Sequence, residues 1–421
     1  MHISISRCWA LGVSAAIFTL AMLAWSPRAY AYAWMIRHDY TGCAMCHSDP
    51  SGGALLTEYG RAQGEVLLRA QWGRDPNAEP GKVAGFLFGA FKLPEMLLLG
   101  GDIRAMWLDT SVNDGRGGGF GRAIPRPAPP SEIGAADWLG TLFMQTDLQA
   151  EFRGDRLRAS ASLGFARAGA LGATIVGDAN ASRLVSRTHW IGIDIGEERS
   201  WLLRAGRLNM PFGVRMIEHT MWARSATRTD TNKSQQHGLS LAYSGETWRG
   251  ELMAIFGNYQ IHPDVYRERG YSGMVEYAAT PHLAVGVSSL IAHANLDVTT
   301  QRPMWRHAHG AFARWAPAKP LVLTAECNFV LYSTPQHNAY GLASFVQADV
   351  EPTQGLHLIG TLELQDLDVG AGGPSLGAWA GVAWFFAPHM DVRVDGLVQR
   401  IVVQDQAATA LSIVTQLHVF L

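Results

Sequence analysis

From about Leu97 to Leu421, apolar and polar side chains alternate with a period of two, in segments of about ten residues. A strand sends successive side chains to opposite faces, so each segment must separate two different environments. Leu142, Met144, Leu148, Ala150 and Phe152 share one face, and Thr141, Gln145, Asp147, Gln149 and Glu151 share the other. Arg156, Arg158, Ser160 and Ser162 oppose Leu157, Ala159, Ala161 and Leu163. Leu356, Leu358, Leu362 and Leu364 oppose His357, Thr361, Glu363 and Gln365. Near the end, Leu411, Ile413, Leu417, Val419 and Leu421 oppose Ser412, Gln416 and His418. A two-sheet sandwich also alternates, but one face almost free of charge over this length matches outer-membrane strands.

The links between segments separate the two architectures. Tight links fall at Arg153–Asp155, Gly196–Arg199, Ser244–Glu246, Thr280–His282, Ala316–Pro320, Glu351–Gly355 and Ala387–His389. Longer ones fall between them, at about 109–138, 169–186, 209–235, 257–269, 294–305, 333–338, 368–374 and 404–407. Short and long links alternate, as in a barrel with short periplasmic turns and longer outside loops. The expected fold is therefore all-β: an antiparallel outer-membrane barrel of about sixteen strands, with both its ends on the periplasmic side. A small α-helical N-terminal domain precedes it. The last strand runs to Phe420-Leu421, next to the place where such barrels carry a terminal aromatic.

Composition agrees. Only 17% of the 421 residues are charged, too few for an ordinary soluble enzyme, and a formal charge of −2 provides no field for nucleic acid. Beyond the N-terminus no run of eighteen uncharged apolar residues follows, which excludes helical spans there. The N-terminus reads as an export signal over 1–31. Arg7 is its basic part, Cys8 to Trp25 its apolar part, and Ala29-Tyr30-Ala31 and Ala31-Tyr32-Ala33 are small-x-small cleavage sites. Cys8 leaves with the signal, so Cys43, Cys46 and Cys327 remain, without a disulfide framework. Cys327 reads as a structural thiol.

Cys43-Ala44-Met45-Cys46-His47 is the haem-attachment pattern C-x-x-C-H. Two thiols at this spacing add to the two vinyl groups of one haem, and the adjacent imidazole becomes the proximal iron ligand. A zinc site would need a second ligand pair nearby, and a redox dithiol a βαβ context; neither is present. The expectation is one covalent haem c, held by Cys43 and Cys46, with His47 on the iron. Residues 32–94 form its small domain, with one amphipathic helix over Ala54–Leu68 on the haem face, and 95–421 form the barrel. For the second axial position the candidates are His38, Met35, Met96 and a barrel residue, with an open site as the other option. Arg37 and Arg61 are candidates for propionate pairing because guanidinium forks suit carboxylates; solvated surface arginines are the alternative.

Thr41-Gly42-Cys43-x-x-Cys46-His47, followed by Tyr59-Gly60-Arg61, resembles the fused monohaem cytochrome–porins of the outer membrane. Further on, Gly206-Arg207 and Pro211-Phe212-Gly213 resemble the "GR…PFG" segment of phosphate-selective-type porins, whose third loop folds into the lumen. The first resemblance implies outer-membrane electron transfer in a Gram-negative bacterium, with an extracellular donor such as ferrous iron and a periplasmic electron-transfer protein as partner. The second implies that Arg207, Arg215, Arg224 and Arg228 line a constriction favouring anions or haem propionates. A solvated basic outer loop is the other reading of those arginines. The alternative function is an anion-diffusion porin with a structural or sensory haem. Patterns for phosphate-binding loops and serine hydrolases are absent, so hydrolytic chemistry has no support.

Overall fold

The computed structural model describes residues 33–38, 40–53, 55–72, 85–113, 138–166, 183–218, 221–231, 234–403 and 406–421. The expected export signal and most of the 109–138 and 169–186 links lie outside the described residues, as do the side chains of 138–145.

The strands in chain order are β1 Leu97–Asn113, β2 Trp138–Arg153, β3 Leu157–Ala166, β4 Arg183–Val185, β5 His189–Ile195, β6 Trp201–Leu208, β7 Gln236–Ser244, β8 Trp248–Gly257 and β9 Arg269–Thr280. They continue as β10 Leu283–Ala294, β11 Met304–Ala318, β12 Leu321–Ser333, β13 Asn338–Thr353, β14 Leu356–Asp366, β15 Ser375–Ala387, β16 Met390–Val403 and β17 Gln406–Phe420. Each pairs antiparallel with its chain neighbour, except that β5 pairs with β3 beyond β4, and β1 also pairs with β17, which closes the sheet. Both β4 and β5 pair with β3, so they are two pieces of one interrupted stave and the wall has sixteen staves. Closure rules out the sandwich. It also leaves no free sheet edge, the condition for strands to cross a membrane.

Alternation along each strand now has a physical meaning. Leu148, Leu163, Leu362 and Ile413 are 47–65% exposed, while Asp147, Glu151, His357, Thr361, Glu363 and Ser412 are buried. The molecule is inside-out relative to a soluble protein: its apolar wall faces outward and its charge faces the lumen. Exposed Phe152, Trp201, Trp248, Tyr277 and Trp384 lie near the short-turn end. Tyr259, Tyr271, Trp305 and Tyr340 lie near the other end, so aromatic residues mark both rims. Cys327 shares the outward face of β12 and is exposed rather than packed in a core.

One expected outer loop is corrected. β16 ends at Val403 and β17 begins at Gln406, so the 404–407 link is as tight as the turns at the opposite rim. Its polar residues read as a loop, but Gln406 and Ala407 are already strand and pair with Val403 and Val402.

Two segments enter the lumen. From the short-turn end, Trp34, Met35 and Ile36 pack with Phe312, Ala316, Val322 and Phe385 of the wall, and Trp34 also stacks on His357 at 4.4 Å. The helical part of this segment is shorter than Ala54–Leu68: an α-helix Glu58–Gln63 runs into a π-turn Gly64–Leu68. The residues just before it pair instead, through a bridge between His47 and Leu56. Across the lumen, the link from β6 to β7 folds inward and forms a short helix, Trp222–Thr227, against β12, β13 and β14.

Candidate functional site

Cys46 N and His47 N both donate to Cys43 O, at 3.1 and 2.9 Å, so the motif makes a single helical turn. A second strand of chain holds that turn. Ser48 N donates to Leu55 O and Thr57 N to Cys46 O, each at 2.9 Å. Thr57 then caps the following helix: its hydroxyl accepts from Gly60 N at 3.0 Å and donates to Met45 O at 2.8 Å. The Tyr40 and Tyr59 hydroxyls lie 2.6 Å apart. The Tyr59-Gly60-Arg61 element thus packs directly on the cysteine turn. Gly52 (φ +97) brings backbone against Cys43, where an added Cβ would lie 3.1 Å from Sγ.

The barrel wall grips this turn from several sides. Arg153 and Arg158 donate to Ser48 at 3.3 and 3.2 Å, and Arg314 donates to Thr41 O at 2.9 Å. Asp49 accepts from Asn209 at 3.2 Å and from Arg204 at 3.4 Å, and Arg204 also pairs with Glu251 at 2.5 Å. Arg215 donates to Ser51 Oγ at 2.7 Å. Burial pushes the Asp49 carboxyl up. Arg204, Arg215 and the hydrogen bonds from Ser51 outweigh it and hold the group below its ordinary value. Burial, helped by the neighbouring Cys43, pushes the Cys46 thiol up to about 11.

Cys43, Cys46 and His47 line one cavity of about 190 Å³, partly open to solvent. Five glycines on the plug's side, Gly42, Gly52, Gly53, Gly60 and Gly64, leave room there. Opposite them are Arg104, Arg187 and Arg215 with Asp102, Asp391 and His418 of the wall. Two unbridged thiols beside an imidazole fit the chemistry of covalent haem attachment, while of the arginines in the lining Arg104 pairs with Asp102 at 3.0 Å, Arg187 pairs with Asp147 at 2.7 Å and Arg215 donates to Ser51.

Several expected site residues lie elsewhere. Arg37 pairs with Asp349 and sits 3.5 Å from Glu351, and His38 Nε2 is 3.2 Å from Glu351; neither lines the cavity. Arg61 is buried and donates to Leu99 O of β1. Close carboxylates and a carbonyl at the rim capture all three. Of the other axial candidates, Met35 lines the cavity, joined by Met216, whereas Met96 is exposed on the rim. Arg104 and Arg187 were missed. The readable signal for Arg104 is its inward strand parity with Asp102 and Met106.

The expected constriction arginines also separate. Arg215 alone reaches the cavity. Arg224 pairs with Glu326, which also accepts from Val214 N at 2.8 Å. Arg228 pairs with Asp297 at 2.5 Å. Arg207 shares a register row with His189 and His237 and donates to Ser186 O, one side chain out of step with the inward Leu208. The loop does enter the lumen, but internal carboxylates neutralise two of its arginines.

No family model and no curated protein matches the chain. Solved structures do resemble it in fold. Outer-membrane expressed OmpT of Vibrio cholerae aligns with a TM-score of 0.54 at 10% identity, over 78% of this chain and 99% of that one. The anion-selective porin from Comamonas acidovorans aligns at 0.52 and 12% identity, over 77% and 99%. The outer membrane channel DcaP of Acinetobacter baumannii aligns at 0.51 and 13% identity, over 79% and 99%. The chain is a sixteen-stave barrel with the fold of Gram-negative outer-membrane porins, as its expected location requires.

Proposed function

We propose that this barrel carries electrons across the outer membrane by means of one covalent haem c held inside its periplasmic mouth. The carrying observation is that Cys43, Cys46 and His47 open together into one lumenal cavity, with Arg104, Arg187 and Arg215 in its lining. Cys43 and Cys46 would provide the two thioether sulfurs and His47 a nitrogen for the iron. When bound, the haem supplies one-electron chemistry. The plug's ion pairs to the wall hold the cysteine turn rigidly, and the apolar band of the barrel, about 25 Å tall, insulates it from the lipid. Ferrous iron outside and a periplasmic electron-transfer protein inside are the proposed donor and acceptor.

The test is a visible spectrum of the purified protein, oxidised and after adding ferrous iron. Sharp α and β bands appearing on reduction support the proposal. A chain lacking haem after expression with haem-attachment machinery overturns it.

The likeness to solved channels favours a second reading, an anion channel whose lumenal arginines attract the solute. Steady anion conductance in planar bilayers, reduced by Arg215→Gln and independent of haem content, would establish that reading instead.

A further inference from the structure

At the long-link rim, the outward face of the wall changes character where β5, β6 and β7 lie side by side. Strand register aligns His189, Arg207 and His237 in one row across these three staves. Further down the same face the wall is apolar: Ile191, Leu239, Leu241 and Leu252 are 64, 43, 40 and 60% exposed. The link from β8 to β9 packs onto the row. Tyr259 stacks on His237 at 4.7 Å, His237 lies 5.3 Å from His189, and the Arg267 guanidinium sits 5.1 Å from the Tyr259 ring.

Negative charge is what this row lacks. Among the described residues no carboxylate pairs with His189, Arg207, His237 or Arg267, because the nearby acids are taken. Asp264 faces Arg269, Glu268 pairs with Arg306, and Asp297 pairs with Arg228. Arg207 is buried and donates to Ser186 O, but its Nε has no hydrogen-bond partner. A buried guanidinium is costly unless an opposite charge offsets it. Both imidazoles are fixed by Nδ1. Ser186 Oγ is 2.9 Å from that of His189, and that of His237 accepts from Tyr259 N at 3.1 Å. The His237 proton therefore sits on Nε2, which is a donor. Two imidazoles by themselves suit a metal ion, but a guanidinium beside them repels a cation and favours an anion.

We propose that this row binds the phosphoryl group of a phosphorylated lipid in the outer leaflet. His189, His237 and Arg267 take the phosphate oxygens, and Arg207 supplies the buried positive charge behind them. The apolar wall below the row holds the acyl chains. His189 also borders an outward groove lined by Ala159, Ala161, Ile191 and Ala205, and this continuity of charge with apolar groove fits a lipid rather than free phosphate. The inference rests on the barrel's place in the outer membrane and is independent of haem.

The full chain, purified in detergent, is incubated with bisphosphorylated lipid A or its dephosphorylated form, and retained lipid is counted by native mass spectrometry. Dephosphorylation should weaken retention about tenfold, the scale of one lost charge-assisted hydrogen bond. His189→Ala/His237→Ala, with its heat-modifiable barrel intact, should show a loss of similar size. Arg400→Gln, exposed near the same rim on β16, should leave retention unchanged. Equal retention of the two lipids overturns the site without recourse to any variant. Unchanged retention in the folded double variant, or a loss as large in Arg400→Gln, also overturns it. Displacement of the lipid by equimolar inorganic phosphate would replace the lipid with free phosphate as the ligand.

Discussion

Gly60 lies against the backbone of Cys46. A Cβ built on Gly60 would fall 2.9 Å from Cys46 Cα and closer still to its carbonyl oxygen. The helix that begins at Thr57 can therefore approach the cysteine turn only if this position has no side chain. Gly60→Ala should push the two apart at a cost of about 1–3 kcal/mol, the range for overpacking. The haem-to-protein ratio, measured by absorbance against amino-acid analysis, should fall while the barrel still assembles. An unchanged ratio would mean that the contact does not shape the site.

Asp49 links the plug to the wall through Arg204. Its carboxyl is depressed, so its contribution is fully present above the unfolded value of about 3.9 and is lost as pH falls through the lower folded value. Protease accessibility of the plug should stay constant from neutrality down to that unfolded value, then rise in acid. Asp49→Asn should loosen the plug at neutral pH, leave Arg204 leaning on Glu251 alone, and flatten this part of the acid response.

Glu326 holds the inward loop through Arg224 and Val214 N. Glu326→Gln leaves a buried guanidinium without its carboxylate, a change worth about 3–5 kcal/mol. Higher single-channel conductance and faster proteolysis within 209–235 are expected. Adding Arg224→Gln should recover part of the loss, since the stranded charge is then gone. A double variant no better than the single would contradict the pairing argument.

Cys46 in a chain prepared without haem should resist alkylation at neutral pH. Burial holds its thiol protonated up to about 11, and the thiolate is the nucleophile. The iodoacetamide rate should climb steadily between neutrality and that value, reaching its plateau later than for an exposed thiol near 8.5. Pre-unfolding in urea should restore the ordinary profile.

How much was legible varies from residue to residue. Period-two alternation located β14 through Leu358 and Leu362 because side-chain parity is local to a strand. It failed at 404–407, where Gln406 and Ala407 already belong to β17 and pair with Val403 and Val402. Thiol spacing singled out Cys43, Cys46 and His47 for the proposed haem, and Tyr59-Gly60-Arg61 does contact that turn. Proximity in sequence misplaced the arginines. Arg37 and Arg61 lie near the motif along the chain, yet Asp349 and the Leu99 carbonyl take them.

By itself, the sequence determined a membrane wall and a cysteine–histidine turn, because strand parity and the C-x-x-C-H spacing each act within a few residues. Only the tertiary structure decided that the turn sits inside the lumen, that Arg104, Arg187 and Arg215 face it, and that Arg224 and Arg228 are neutralised. Those outcomes depend on partners brought together across the closed barrel. Arg204 meets Asp49 across 155 residues and Arg37 meets Asp349 across 312. Buried charges settle wherever closure supplies an opposite charge, and no local pattern encodes that choice.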